Sequence, residues 1–386
     1  MIIRWKPNFV KLHSQLHSIS QAPFNSLRAL LSLQEFLIVK IKYLEHKIRK
    51  AKASGNADSV SRYQYLLFAI KTFGDGIAFI YIDRWDIKMF GRNNSSGFIL
   101  GKSGMKLELK ILRQCSAMTP MLLADITNCL RISDLYIFKE GFPPFITEVK
   151  SSKSGKRGAR ALRQRKRQGN VLEYLHTDKS ENAIIRDGTL VRKSLHSNLK
   201  LWVHEMNSAI EEATSSGYSI TSPEDGLLYI ASNKSCMEAA LRKFEYLSSP
   251  VYWDLLSILP DSRDFYPLVL NIHDPNAYFD FLNGNLILIV IFDNAIIESK
   301  FVERGFACEF IQDPQSDYYL RISQENGFAP MEVSRNFVGR VAFEFLSLSW
   351  MVDELVSQYY YAMEKLKNME LCEGRVSASR TDARLN

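Results

Sequence analysis

Asp134, Glu148 and Lys150 are the residues of this chain whose types and spacing could do chemistry together. Two short apolar runs carry them. Ile132 to Phe138 has a single acid near its start, and Pro144 to Lys150 ends in Glu148-Val149-Lys150. Side chains alternate faces along a strand, so Glu148 and Lys150 project to one side and Val149 to the other. With Asp134 facing the same way on the neighbouring strand, two carboxylates and one ammonium converge. Carboxylates so placed hold a divalent metal such as Mg²⁺ or Mn²⁺, and metal and lysine together polarise water and a phosphate ester. The same residues also suit an ordinary hairpin whose Glu148 and Lys150 pair on a solvated face.

Asp134 followed, after a short hairpin, by Glu148-Val149-Lys150 resembles the PD-(D/E)xK nuclease superfamily. The resemblance covers roughly residues 97 to 174, or on to Ile230, with Ser133 where the family has a proline. It implies an α/β fold: a central mixed sheet of the restriction-endonuclease type flanked by helices, here with an N-terminal helical region and a C-terminal α+β region. It implies a Mg²⁺- or Mn²⁺-dependent phosphodiesterase acting on nucleic acid, DNA foremost. Asp134 and Glu148 would be metal ligands, with the Val149 carbonyl beside them and Lys150 as the catalytic lysine. Glu108 takes the place of a further acid on the first core helix, or is a plain solvent-facing glutamate. Gln164, downstream of Lys150, takes the place of a glutamine near the metal or the DNA.

Nine lysines and arginines and no acid lie between Lys150 and Gln168, and they include Lys153, Lys156, Arg157, Arg160, Arg163, Lys166 and Arg167. The chain carries a net +7, so outside this segment it is at −2. The basicity therefore belongs to one place beside the acids. Such a patch attracts phosphate backbones without reading bases, or contacts an acidic protein.

The elements that must hold these residues follow from periodicity. Residues 1–93 read as a helical hairpin, an arm or dimer contact. Leu30 to Lys52 is one helix, and a second is capped by Asp58 or Ser59. Gly74-Asp75-Gly76 breaks that pattern, and Ile77 to Ile82 reads as a strand or a buried helix. The nuclease-like core occupies 97–235. It runs as a helix from Lys102 to about Met118, strands at Met121–Ile126, Ile132–Phe138 and Pro144–Lys150, then a helix from Arg157 to Leu175 with Val171, Leu172 and Leu175 facing the core. Residues 226–231 offer a fourth core strand. Residues 236–367 form the α+β region, with strands at Tyr266–Ile272, Leu286–Phe292 and Tyr318–Ile322 and a long helix from Asn336 to Lys367. Residues 368–386 read as a flexible tail.

Other chemistries find little support. His13 and His17 stand four apart, a helical metal-ligand spacing, but no acid or cysteine completes the set. There is no Walker A loop, no dinucleotide fingerprint and no serine-hydrolase elbow. Five cysteines without a paired spacing, no signal peptide and no apolar run of membrane length predict a soluble cytoplasmic protein. Two other readings remain: a non-catalytic binding module that keeps the nuclease-like fold, and a defence effector held inactive until a partner releases it.

Overall fold

The computed structural model of the 386-residue chain describes residues 2–91, 98–149, 159–181, 189–191, 195, 197–241, 247–261, 263–313, 315–325 and 329–382. In chain order the first elements are α1 (Lys6–Gln21), α2 (Leu27–Ala53), α3 (Ala57–Tyr81), α4 (Ile87–Gly91) and α5 (Met105–Cys115). There follow β1 (Met121–Leu123), β2 (Leu135–Ile137), β3 (Phe145–Thr147), α6 (Ala159–Thr177), β4 (Lys179–Glu181) and β5 (Thr189–Val191). Next come α7 (Val203–Ser216), β6 (Tyr218–Glu224), β7 (Leu227–Asn233), α8 (Met237–Leu241), β8 (Pro250–Asp254), α9 (Leu268–Asn271) and α10 (Pro275–Leu282). The last are β9 (Leu286–Asp293), α11 (Asn294–Val302), β10 (Ala307–Phe310), β11 (Tyr318–Ser323), β12 (Met331–Ser334), α12 (Arg335–Phe343) and α13 (Leu348–Asp382). This mixed α/β chain divides into two compact units, Met1–Lys193 with Leu256–Leu286, and Ser194–Leu255 with Ile287–Asn386.

In the first unit, α2 is amphipathic at helical spacing and buries Leu30, Leu33, Leu37, Ile41, Leu44 and Ile48. It pairs with α3 as the second arm of a hairpin. Asn56 caps α3 by accepting the Ser59 N–H, where Asp58 or Ser59 was the expected cap. The helix then runs unbroken through Gly74-Asp75-Gly76 to Tyr81 and buries every residue from Ala69 to Phe79. The glycines do not break it, because they are where other backbone and side chains come close. A Cβ on Gly74 would lie 2.1 Å from the Ile126 carbonyl oxygen, and one on Gly76 would lie 2.6 Å from Leu16 Cδ2.

This helical layer meets a three-stranded sheet in the order β1-β2-β3. Both pairings are antiparallel, with Leu123 opposite Leu135 and Leu135 opposite Thr147. The expected mixed sheet is therefore antiparallel around Asp134 among the described residues. The fourth strand expected at 226–231 does form, as β7, but it belongs to the second unit. The free edge of β1 is closed by a side chain rather than a strand. The buried amide of Gln34 on α2 donates to the Met121 carbonyl at 2.8 Å and accepts the Leu123 N–H at 3.1 Å. A primary amide carries the same donor and acceptor as a backbone unit, so Gln34 substitutes for a neighbouring strand.

Residues Tyr266–Ile272 do not form the expected strand. Pro267 leads into the short helix α9, which packs on α1 and α3. Its carbonyls explain the two histidines of α1. His13 donates to the Ile272 carbonyl at 2.8 Å and His17 to the Val269 carbonyl at 2.9 Å, with their rings stacked 4.2 Å apart. Burial, and the neighbouring His17, push His13 down to about 4. A histidine whose folded value lies below its unfolded value costs stability as pH falls from about 6.5 towards that folded value. Lowering the pH from 7 to 5 should therefore cost about 2 kcal/mol of unfolding free energy through His13. In urea titrations at both values, His13→Gln should lack this part of the loss. Equal losses in the two proteins would remove His13 as the cause.

In the second unit, α7 packs on β6 and β7 of a four-stranded sheet ordered β6-β7-β9-β8. A second sheet is ordered β10-β11-β12. The long closing helix is two helices. It breaks at Glu344–Ser347, where Phe345 takes a positive φ of 55° and the Glu224 carboxylate caps the new start at Leu348 and Ser349. The second of these helices continues to Asp382, through much of the segment expected as a flexible tail. No helix of the described residues is long and apolar enough to cross a membrane.

Candidate functional site

Three carboxylates of the first unit gather on one cation, and the cation is a lysine. Lys102 Nζ lies 2.7 Å from Asp125 Oδ2, 2.8 Å from Asp134 Oδ1 and 3.0 Å from both oxygens of Glu108. Each partner comes from a different element. Asp134 immediately precedes β2, Glu108 is in the first turn of α5, and Asp125 is in the 3-10 turn Ala124–Ile126 that follows β1.

Local sequence explains each placement. The register of β2 on β3 sets Leu135 opposite Thr147, so one step further sets Asp134 opposite Glu148. The other oxygen of Asp134 accepts the Val149 N–H at 2.9 Å, and Ser133 Oγ donates to the Thr147 carbonyl at 2.5 Å. These bonds fasten the Glu148-Val149 segment to the strand that carries Asp134. Lys102 is fixed from α2. The buried Glu45 carboxylate accepts the Ile99 N–H at 2.9 Å and the Leu100 N–H at 2.6 Å, and Arg49 donates to the Leu100 carbonyl. Gly104 at the start of α5 leaves room for Glu108: a Cβ there would lie 2.8 Å from Glu108 Oε1 and 3.9 Å from the Val149 carbonyl oxygen.

Burial sets the electrostatics. Glu108 is fully buried, and its carboxyl is held above the usual range by desolvation, against which Lys102 pulls it down. Burial works against the charge on Lys102, but the carboxylates, Asp125 first, outweigh it and hold the ammonium well above its usual range. Behind Asp125 lies Lys71 of α3, itself 2% exposed. Burial and then Arg131 push it down to about 8, while Asp125, Glu45 and Asp75 support its charge. The single ammonium of Lys102 leaves its three carboxylate partners with a net −2.

Of the residues singled out in the sequence, the structure brings together Asp134, Glu108 and the Val149 backbone. The burial of Glu108 removes its reading as a solvent-facing glutamate. Glu148 is half-buried beside them and makes no hydrogen bond or ion pair with another described residue. Lys150, Lys153, Lys156 and Arg157 lie outside the described residues, as do the side chains of Arg160, Arg163 and Gln164. On α6, Arg165, Lys166 and Arg167 are exposed, while Val171, Tyr174 and Leu175 are buried. Gln168, one turn after Gln164, donates to the Ile132 carbonyl at 3.3 Å, which docks α6 beside the start of the Asp134 strand. Comparison of the chain with protein-family models, with curated proteins and with solved structures finds no match.

Sequence reasoning missed Asp125, Lys102 and Lys71. Asp125 carried a usable signal: it is a lone acid closing an apolar run, as Asp134 is a lone acid opening one. Lys102 stands in Gly101-Lys102-Ser103-Gly104, where the glycines mark close approach but not the partner approached. Lys71 had no signal, since a lysine in a helix is ordinarily solvated.

Among the described residues no set of three or more His, Cys, Asp or Glu side chains is spaced to ligate a metal as it stands. The distances give the reason. Carboxylate oxygens sit at hydrogen-bond range from an ammonium, whereas Mg²⁺ needs them at about 2.1 Å. The donor chemistry fits a hard divalent cation, being all oxygen. Glu108 Oε1 is buried, lies 3.0 Å from the Lys102 ammonium as an ion pair while Oε2 takes the hydrogen bond, and faces the hollow that the missing Cβ of Gly104 leaves.

Proposed function

We propose that the first unit is a divalent-metal-dependent nuclease of the PD-(D/E)xK type that hydrolyses phosphodiester bonds in nucleic acid, DNA foremost. The observation that carries this reading is the convergence of Asp134, Glu108 and Asp125 on one cation at the strand ends, beside Glu148-Val149, with the basic helix α6 docked through Gln168 on Ile132 two residues before Asp134. Asp134, Glu108 and Glu148 would hold Mg²⁺ or Mn²⁺, with Asp125 and the Val149 carbonyl alongside. Such an ion, when bound, supplies a Lewis acid for the phosphate and a more acidic water. The chain's own groups do the rest. Glu108, being buried, keeps bulk water from the inner side of the site. Lys150, as the ammonium, would orient the attacking water and steady the charge on the phosphate. The proton of the water would pass to solvent as the new P–O bond forms, and the leaving ester oxygen would take one from solvent as its bond to phosphorus breaks. The exposed Lys166 and Arg167, with Arg160 and Arg163 on the same helix, would bind the phosphate backbone without reading bases.

One observation favours a second reading, a nucleic-acid-binding module without catalysis: the centre of the carboxylates is filled by Lys102, which pairs with all three of them with no metal. Incubation with supercoiled plasmid, single-stranded DNA and RNA separates the two. A nuclease cuts at least one of them with Mg²⁺ or Mn²⁺, and Glu148→Ala cuts at least about a hundredfold more slowly. Binding that is unaffected by EDTA, with no cutting by the wild type, would sink the nuclease and leave the module.

A further inference from the structure

Lys102 and the carboxylates around it lie at different depths, which bears on how a metal would enter. Side-chain exposure is 27% for Lys102, 21% for Asp125 and 18% for Asp134, but 1% for Glu108. The Lys102 side chain therefore borders solvent on the side of the two aspartates, and Glu108 closes the inner side. The backbone of Lys102 is held by the Glu45 clamp on Ile99 and Leu100 on one side and by the start of α5 on the other. The movement open to it is thus of the side chain, a flexible four-carbon stem ending in a mobile charge.

The three carboxylates cannot serve an ammonium and a divalent cation at once. An ammonium holds them at 2.7–3.0 Å, whereas Mg²⁺ or Mn²⁺ would draw them closer. Two cations within the same shell would also repel strongly in so buried a place. Without any cation, three carboxylates around one point would be costly, and the buried Lys71 behind Asp125 offsets only part of that.

We infer that Lys102 is a displaceable internal counter-ion, holding the place of the divalent cation in the resting protein and swinging out to solvent when the metal enters. This rests on the metal-site reading above and adds the exchange to it. The protein keeps its acids partly compensated and folded without metal, while Lys102 competes with the metal for them. Its affinity for Mn²⁺ is therefore weaker than the same acids would have without the lysine. Once displaced, the ammonium lies at the mouth of the site, where a phosphate oxygen would meet it.

The test uses the full-length protein and Mn²⁺ alone, with no substrate. Free Mn²⁺ is followed by electron paramagnetic resonance during titration of wild type and Lys102→Met. In parallel, the wild type is reductively methylated with and without saturating Mn²⁺, and labelling of each lysine is read by mass spectrometry. Removing one competing positive charge should tighten Mn²⁺ binding by at least about tenfold. Lys102 should label several-fold more with Mn²⁺ than without, while exposed lysines such as Lys166 stay constant. Equal or weaker binding by a folded Lys102→Met, unchanged Lys102 labelling at saturation, or no Mn²⁺ binding by either protein at millimolar metal would each overturn the exchange. Should Lys102→Met fail to fold, the labelling of the wild type decides alone. Neither readout uses cleavage. Exchange without cutting of any nucleic acid sinks the nuclease and leaves the counter-ion, and cutting with unchanged Lys102 labelling does the reverse.

Discussion

Asp134→Asn should stay folded and lose at least about a hundredfold in the rate of phosphodiester cleavage. Asp134 is the acid with two jobs. One oxygen takes the Val149 N–H at 2.9 Å and so positions the Glu148 segment, and the other faces the shared cation at 2.8 Å. Asparagine keeps an oxygen for the Val149 N–H, so the strand pairing of β2 and β3 survives. Its amide nitrogen then turns to the cation, where a donor replaces an acceptor. The loss of one of the three partners of Lys102, in a partly buried pair that leaves Glu108 and Asp125 in place, should cost about 1 kcal/mol of stability, well short of unfolding the unit. Asp125→Asn makes the informative comparison, because Asp125 touches the cation but no backbone of the Glu148 segment. It should lose about tenfold. Initial rates on plasmid, with melting followed by circular dichroism, separate catalysis from folding. An Asp134→Asn protein that cuts as fast as the wild type would remove Asp134 from the chemistry.

The difference between Asp134 and Asp125 also shows what could be read from the sequence. The β2–β3 hairpin was legible because two alternating runs, separated by Gly141 to Pro143, fix which residues share a face. That periodicity is local, and so was the pairing of Asp134 with Glu148. The burial of Val171 and Leu175 on α6 was legible for the same reason. Asp125 and Lys102 join the cluster through the approach of the 99–104 and 124–126 segments, which is set by Glu45 and by Gly74 on other helices. No spacing within either segment records that approach. Where backbone groups are paired by side chains, reading by period fails altogether. Gln34 completes the edge of β1, and Asp75 accepts the Asn128 N–H at 2.5 Å and the Cys129 N–H at 2.9 Å, yet both are polar residues in the middle of apolar helices. Tyr266–Ile272 had the β-branched and aromatic content of a strand, but Pro267 at the head of Leu268-Val269-Leu270-Asn271 starts a buried turn of helix instead. The strand at 226–231 was correctly typed, and its unit was not legible because strand order depends on contacts far along the chain.

Gly74 is where the helical layer sets the site, and Gly74→Ala should be among the most damaging small substitutions in the first unit. In an isolated helix this change would stabilise by about 1 kcal/mol. Here the new Cβ would stand 2.1 Å from the Ile126 carbonyl oxygen and 2.8 Å from its carbon, and both atoms are backbone that cannot rotate away. Relief needs a shift of about 1 Å between α3 and the Ala124–Ile126 turn, and overpacking of that kind costs about 3 kcal/mol, which outweighs the gain in helix propensity. The same turn carries Asp125 at its centre and leads to Asn128 and Cys129, which Asp75 holds one residue along the helix. The displacement therefore reaches the carboxylate cluster, and a misplacement of about 1 Å there should lower cleavage by about a hundredfold even in the folded fraction. Gly76→Ala supplies the contrast on the same helix. Its Cβ would meet Leu16 Cδ2 at 2.6 Å and Val269 Cγ1 at 3.2 Å, which are ends of side chains able to turn aside. That variant should lose about 1 kcal/mol and keep its rate per folded molecule. If Gly74→Ala and Gly76→Ala proved equal in urea unfolding and in cleavage, the close approach of α3 to the Asp125 turn would not be what positions the site.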